Sequence, residues 1–387
     1  MINADAARPV RTRRALVAAA LAIASAALLA VPAAAGTAAT AVDTGVDSAV
    51  STGATTARAQ AATTMRDLSG GVLRVSGDTK VVGDGTRASC TAATLAYAMR
   101  SGGSISFDCG STPMTIALDR TLFTCNTHNC KHAWQGGIPV EEMTLDGGGL
   151  ITLSGGGERG IYYANSCEPS FGWLSSSCQN DHTLEVTFRS IGFTRGNATK
   201  GMPGKASVGG GGGGGAIAMR GNELTIENSW FYNNKCMTYH SDAGGGAVRV
   251  TGMEVPVTIT GSTFKKNWCA NGGAISSLHA SLDITDSKIY HNTATGRGAS
   301  SGRGGNGGGV YFDGTSDNVA ITRTSVWDNK AFEGGSGIFY VSNNRTGSLT
   351  ITDSKVFANT RETFWTNPYR DIFFKGRSLN VSGGIVR

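Results

Sequence analysis

Proline is scarce in this chain, at 8 of 387 residues, and charge is sparse, with Asp, Glu, Lys and Arg together at 16%. Eight prolines, with no strict glycine triplet, exclude a collagen-like chain. A net charge of +6 falls short of a nucleic-acid footprint, and basic and aromatic residues do not interleave along the sequence. Beyond the first 31 residues no apolar run approaches a membrane span, and no basic amphipathic helix appears. Helical periodicity is missing as well, since almost no segment from Gly214 to Asn359 shows the 3.6-residue apolar pattern. Glycine, by contrast, is abundant at 56 residues, the composition of a turn-rich β chain, and 40% hydrophobic content suffices for one large core.

The glycines belong to a repeated phrase. Gly214-Gly215-Ala216-Ile217 recurs as Gly245-Gly246-Ala247-Val248, Gly272-Gly273-Ala274-Ile275, Gly307-Gly308-Gly309-Val310 and, more loosely, Gly335-Ser336-Gly337-Ile338. Each is followed by an alternating strand such as Leu224-Thr225-Ile226 or Leu349-Thr350-Ile351. Then comes an apolar residue three positions before an asparagine: Phe231 to Asn234, Phe264 to Asn267, Ile289 to Asn292, Val326 to Asn329 and Val356 to Asn359. A period of about 30 residues is one supersecondary unit per repeat. Strands this short cannot bury a face alone, so the units must stack as parallel strands about 4.8 Å apart around a continuous apolar interior. Glycine then serves the turns and the close approach of neighbouring coils, and aligned asparagines can bond from coil to coil.

These paired Gly-Gly-Ala-Ile and Phe-x-x-Asn phrases resemble the repeats of polymorphic outer-membrane-protein type β-helices, within the pectate-lyase-like superfamily. Cys90 to Asn197 is similar to the start of secreted bacterial β-helix proteins: Thr94 to Met99 as a short capping helix, Ser104 to Phe107 as a first strand, Met143 to Gly148 as an early coil. The resemblance implies an all-β fold, a single-domain right-handed parallel β-helix over 68–387 with a short N-terminal capping helix. It leaves activity open, because the scaffold hosts lyases, hydrolases and adhesins. Calcium is a cofactor only by analogy with the superfamily.

Arg8, Arg11, Arg13 and Arg14 precede an apolar run from Ala15 to Val31 and then Pro32 and Ala33 to Ala35, the pattern of a cleaved export signal over 1–35. Its removal takes away four arginines and Asp5, lowering the net charge from +6 to +3. Residues 36–67 are Ala/Thr-rich and aperiodic, as expected of a leader, with structure beginning near Leu68. The expected location is extracellular, without a membrane role once the signal is gone; no terminal sorting signal or hydrophobic tail is evident, which favours free secretion. Eight cysteines in an exported chain point to disulfides. Sequence neighbours suggest Cys90 with Cys109, Cys125 with Cys130, Cys167 with Cys178 and Cys236 with Cys269, out of 105 formal connectivities. Cys236 and Cys269 each follow a repeat asparagine by two residues, so stacking sets them within disulfide reach. Cys125, His128, Cys130 and His132 also have zinc-ligand types, but export and the even count favour a disulfide loop, so no metal is assigned.

Insertions in a stacked repeat line one rim. Here the turn after each asparagine is long at 197–213, 235–243 and 293–306 but short at 268–271, which predicts a groove. It gathers Lys200, Lys205, Lys235, Tyr239, His240, Asp242, Arg297 and Arg303, beside seven glycines from Gly209 to Gly215 that match no phosphate loop. Such a set suits β-elimination on a uronate polymer, an extracellular acidic polysaccharide. Lys235, Arg297 or Lys205 would neutralise the carboxylate, His240 would be the base with Asp242 orienting its ring, and Tyr239 would donate the proton; Lys200, Lys205 and Arg303 would bind substrate. Hydrolysis would need two carboxylates on one face. Asp242 has no evident acidic neighbour on the next coil, Asp286 and Asp353 lie two coils apart, and Asp181, Asp313 and Asp317 are loose candidates. The competing classes are therefore a polysaccharide lyase, a non-catalytic adhesin or carbohydrate-binding β-helix, and a glycoside hydrolase. Trp230, Trp268, Trp327 and Trp365 could form a sugar-stacking set, but the first three adjoin the Phe-x-x-Asn phrases and fit packing at the turns better.

Overall fold

A computed structural model describes residues 63–67, 69–125, 138–167, 180–199, 212–298, 301–360 and 362–387. The described residues belong to one compact unit beginning at Arg58. The expected export signal, and most of the expected leader, lie outside the described residues. One strand, Thr63–Arg66, nevertheless falls inside the segment read as leader. It pairs antiparallel with Val72–Ser76, which continues antiparallel to Thr79–Val82, and a short aperiodic sequence gives no sign of such tertiary pairing.

The unit is built of strands, with one α-helix, Ala92–Met99, among the described residues. Thr91 caps that helix by accepting the Thr94 amide, and Leu95, Ala98 and Met99 bury its inner side. None of the described helices is long and apolar enough to cross a membrane. After the opening hairpin the strands pair in parallel, forming an eighteen-stranded, a nine-stranded and a three-stranded sheet. Each repeat adds strands to these sheets in parallel register, broken by a bulge between Met253 and Val257. Leu145, Phe188, Ile226, Ile259, Ile284, Ile321 and Ile351 succeed one another across the largest sheet, and Phe193, Phe231, Phe264, Ile289, Val326 and Val356 across the second. All are buried and belong to one continuous core. Phe193, Phe231 and Phe264 stack face to face at 4.8 and 4.5 Å, about one strand spacing.

The repeat asparagines form the predicted ladder. Each of Asn234, Asn267, Asn292 and Asn329 donates its backbone and side-chain N–H groups to the carbonyl oxygen of the next asparagine, at 2.9–3.0 Å. Asn359 ends the ladder on Asp371, whose carboxyl burial pushes above its ordinary range. A second ladder was not legible as such. The amides of Ser229, Ser262, Ser287 and Thr324 each reach the hydroxyl one repeat on.

Glycine serves the turns of the Gly-Gly phrase as expected, but not those before the asparagines. The left-handed residue just before the ladder asparagines is Asn233, Lys266, His291, Asp328 or Ala358, not glycine. Glycine is required instead in the Gly-Gly phrase. Gly245 has φ 72°, and a Cβ on Gly246 would collide with the carbonyl of Gly273 in the next repeat.

The disulfides Cys90–Cys109 and Cys236–Cys269 form as expected, with Cα separations of 5.8 and 4.7 Å. Cys125 and Cys167 are also disulfide-bonded; Cys130 and Cys178, their expected partners, lie outside the described residues, as do His128 and His132 of the histidine–cysteine cluster.

Candidate functional site

The loops 235–243 and 293–306 meet across the short turn at 268–271. Trp268–Cys269 pairs with Thr293–Ala294, and Cys236–Cys269 ties the root of the first loop to that turn. Ala198, Cys236, Ala243, Cys269 and Ala270 pack there as a small separate apolar cluster. Asn271, fully buried, is the clamp that sequence reasoning missed. Its Nδ2 donates to the carbonyls of Ser241 and His240 at 2.7 and 3.3 Å, while its Oδ1 accepts the amides of Gly305 and Asn306. Because His240 N donates to Arg303 O and Thr295 Oγ1 to Thr238 O, the long loops touch, and the expected open groove is bridged.

What remains beside the bridge is a cavity of about 440 Å³ lined by Thr238, Tyr239, Thr295, Arg297 and Arg303. Three of the residues expected at the site therefore converge. Tyr239 is 66% exposed, and the Arg297 guanidinium lies 4.2 Å over the Phe332 ring, which holds it toward solvent.

His240 and Asp242 adjoin this cavity, but not in the expected relation. The Asp242 amide, and not its carboxylate, meets the ring, donating to His240 Nδ1 at 3.1 Å. With Nδ1 accepting, the neutral ring carries its proton on Nε2 and presents a donor. Lys235 stands apart, bridged between Asn197 and Trp268 with its ammonium 5.6 Å over the Trp268 ring. Lys200 and Lys205 lie outside the described residues.

Behind the loop lies a polar cluster on the outer side of the largest sheet. Arg249, Ser276 and Tyr311 are successive partners in one file, and Leu278 and Asp313 in the adjacent one. The Arg249 guanidinium is fully buried; it donates to the Asp242 carbonyl at 2.8 Å and to Ser276 Oγ at 2.5 Å. Burial pushes its pKa down to about 10, against the pull of Tyr311, Asp242 and Asp313. Asp313 accepts hydrogen bonds from Asn343 Nδ2 at 2.8 Å and from the Tyr311 hydroxyl at 3.2 Å. Burial nevertheless raises its carboxyl above the ordinary range, and burial raises Tyr311 too. Asp313, two repeats on, and Asp242 thus both act electrostatically on the buried Arg249, while the next repeat supplies Asp242 with no acid, as expected. A sequence signal existed: among Ala218, Arg249, Ser276, Tyr311 and Phe339, the aligned positions, Arg249 is the lone charge.

Two of the other candidate acids are engaged structurally. Arg323 forks onto Asp286 at 2.7 and 2.8 Å, and Asp181 accepts the Thr183 amide and hydroxyl. Among the described residues no three His, Cys, Asp or Glu side chains are grouped to hold a metal ion, so the calcium analogy finds no fitting donor set there. The chain matches no protein-family model, no curated protein and no solved structure.

Proposed function

We propose that this protein is an exported right-handed parallel β-helix that binds an acidic extracellular polysaccharide at the rim between loops 235–243 and 293–306. Parallel pairing of each repeat to the next, with core residues in register, supports the helix. The observation that carries the binding site is the convergence of Arg297, Arg303 and Tyr239 on one open cavity. Two guanidiniums and a phenol match the carboxylates and hydroxyls of a uronate polymer, and the fork geometry of arginine suits a carboxylate.

β-Elimination is the reaction such a ligand would undergo there, with Arg297 or Arg303 neutralising the carboxylate. Elimination would also need His240 Nδ1 released from the Asp242 amide to take the α-proton, with the Tyr239 hydroxyl protonating the leaving oxygen. Hydrolysis is the second reading, since Asp313, raised by burial, and Asp242 both act on the buried Arg249. Incubation of the secreted protein with polygalacturonate separates these readings. Retention without cleavage, lost in Arg297→Gln/Arg303→Gln, supports binding alone. Ultraviolet absorbance of an unsaturated uronate marks elimination, and new reducing ends without it mark hydrolysis. Absence of any retention would overturn the proposal.

A further inference from the structure

The outer face of the nine-stranded sheet lies apart from the rim cavity and carries a distinct chemistry. Side chains alternate along a strand, and because Phe231, Phe264, Ile289, Val326 and Val356 point into the core, their neighbours point out. Register then sets Tyr232, Lys265, Tyr290, Trp327 and Phe357 side by side in one file on consecutive repeats. The adjacent file contributes Lys288 and Lys355, both exposed and two repeats apart, about 10 Å at the usual strand spacing.

The nine strands of this sheet contain three lysines and neither aspartate nor glutamate. The largest sheet, by contrast, mixes both signs and sets Glu142, Glu185 and Glu223 in a single outward file. At the margins of the basic face, Asp286 is held by Arg323, Glu227 by Arg189, and Asp328 sits 3.7 Å from His291; Asp353 lies there too.

The cations are set against rings. Lys265 Nζ lies 5.2 Å over the Tyr290 ring and Lys266 Nζ 5.8 Å over the Tyr232 ring. Tyr290 and Trp327 stack at 4.3 Å and 6°, and Trp327 and Phe357 are parallel at 6.4 Å. An aromatic ladder alone is explained by packing. Ring contacts account for Lys265, but Lys288 and Lys355 stand exposed on strands without a single acid, and packing of the ladder does not explain them.

We infer that this face is a second binding site for a linear carboxylated polysaccharide, with Lys265, Lys288 and Lys355 meeting successive carboxylates and the Tyr232 and Tyr290 hydroxyls meeting sugar oxygens. The inference rests on the ligand class proposed for the rim. A single-stranded nucleic acid fits less well, because base stacking needs open ring faces and the faces of Tyr290 and Trp327 cover each other. These strands also carry no arginine to fork a phosphate.

The test uses the full secreted chain, titrated with polygalacturonate at low and high salt, with dextran and a single-stranded oligonucleotide as comparators. Lys265→Gln/Lys288→Gln/Lys355→Gln, three surface changes, should weaken polygalacturonate binding about tenfold or more and flatten its salt dependence. Trp327 fluorescence should respond to the polymer, and Trp327→Phe should lose that response. An unchanged affinity in the triple variant, with binding lost in Arg297→Gln/Arg303→Gln, overturns the second site and leaves the rim standing. Loss of binding in the triple variant alone overturns the rim and keeps this face. Equal or tighter oligonucleotide binding, abolished by the triple change, overturns the polysaccharide assignment of the face.

Discussion

Replacing Asn292 with alanine removes the middle rung of the asparagine ladder. Its Nδ2 donates to Asn329 Oδ1 at 2.9 Å and to Phe264 O at 3.1 Å, and its Oδ1 accepts the amide and Nδ2 of Asn267 at 2.9 and 3.0 Å. Four hydrogen bonds at about 1 kcal/mol net each give roughly 4 kcal/mol. The loss falls unevenly. Asn267 Nδ2 keeps Phe231 O, and Asn329 Oδ1 keeps the Asn292 amide, but the buried Asn267 amide is left without an acceptor. An orphaned buried donor alone costs about 1–3 kcal/mol, so the expected destabilisation is about 3–5 kcal/mol. That is a large part of a domain's usual 5–15 kcal/mol. Urea unfolding followed by far-ultraviolet circular dichroism and by tryptophan fluorescence measures it. Both signals should shift to lower denaturant together, with the slope preserved if the repeats unfold as one unit. Asn380→Ala, at an exposed strand position, is the control and should stay within about 0.5 kcal/mol. A loss below about 1 kcal/mol for Asn292→Ala would refute the claim that the ladder holds the repeats together.

Arg249→Met should leave the sheet intact, since buried charges exchanged for apolar volume are often neutral, yet free the loop that the guanidinium holds through the Asp242 carbonyl. Faster proteolytic nicking within 238–243 and weaker polygalacturonate binding are the expected readouts; unchanged binding would show that Arg249 does not position the rim. Asp313 bears on pH dependence. Its folded pKa is raised by burial, so the folded state holds that proton to higher pH than the unfolded chain. Its contribution is therefore full below the ordinary carboxylate pKa of about 4 and is lost as pH rises through the folded value. Asp313→Asn should remove that component from a plot of melting temperature against pH, and an unaltered profile would contradict the assignment. Changing Cys236 and Cys269 together to serine should cost about 2–4 kcal/mol. It should also loosen the rim first, seen as faster amide exchange in 235–243 than in the sheets.

Most of the architecture was legible because stacking enforces periodicity. Every repeat must place an apolar residue in the same file, so Ile226, Ile259, Ile284, Ile321 and Ile351 announce one another in sequence. The asparagine positions and the Cys236–Cys269 bridge followed from the same arithmetic. The site was less legible. Tyr239, Arg297 and Arg303 converged because long turns share a rim, but the relation of Asp242 to His240 was misread, since sequence cannot tell an amide contact from a carboxylate contact.

By itself the sequence determined the period, the turns and the residues that fill the core, because each depends on contacts that recur at a fixed separation along the chain. Tertiary structure alone decided which unlike residues become neighbours. Asp242 and Asp313 come to flank one buried arginine, and Lys265, Tyr290, Trp327 and Phe357 come to stand in line. No basic and aromatic residues interleave along the chain, yet they do across it. Parallel stacking brings positions some 25–37 residues apart to within one strand spacing, about 4.8 Å, and a surface built that way has no contiguous sequence to betray it.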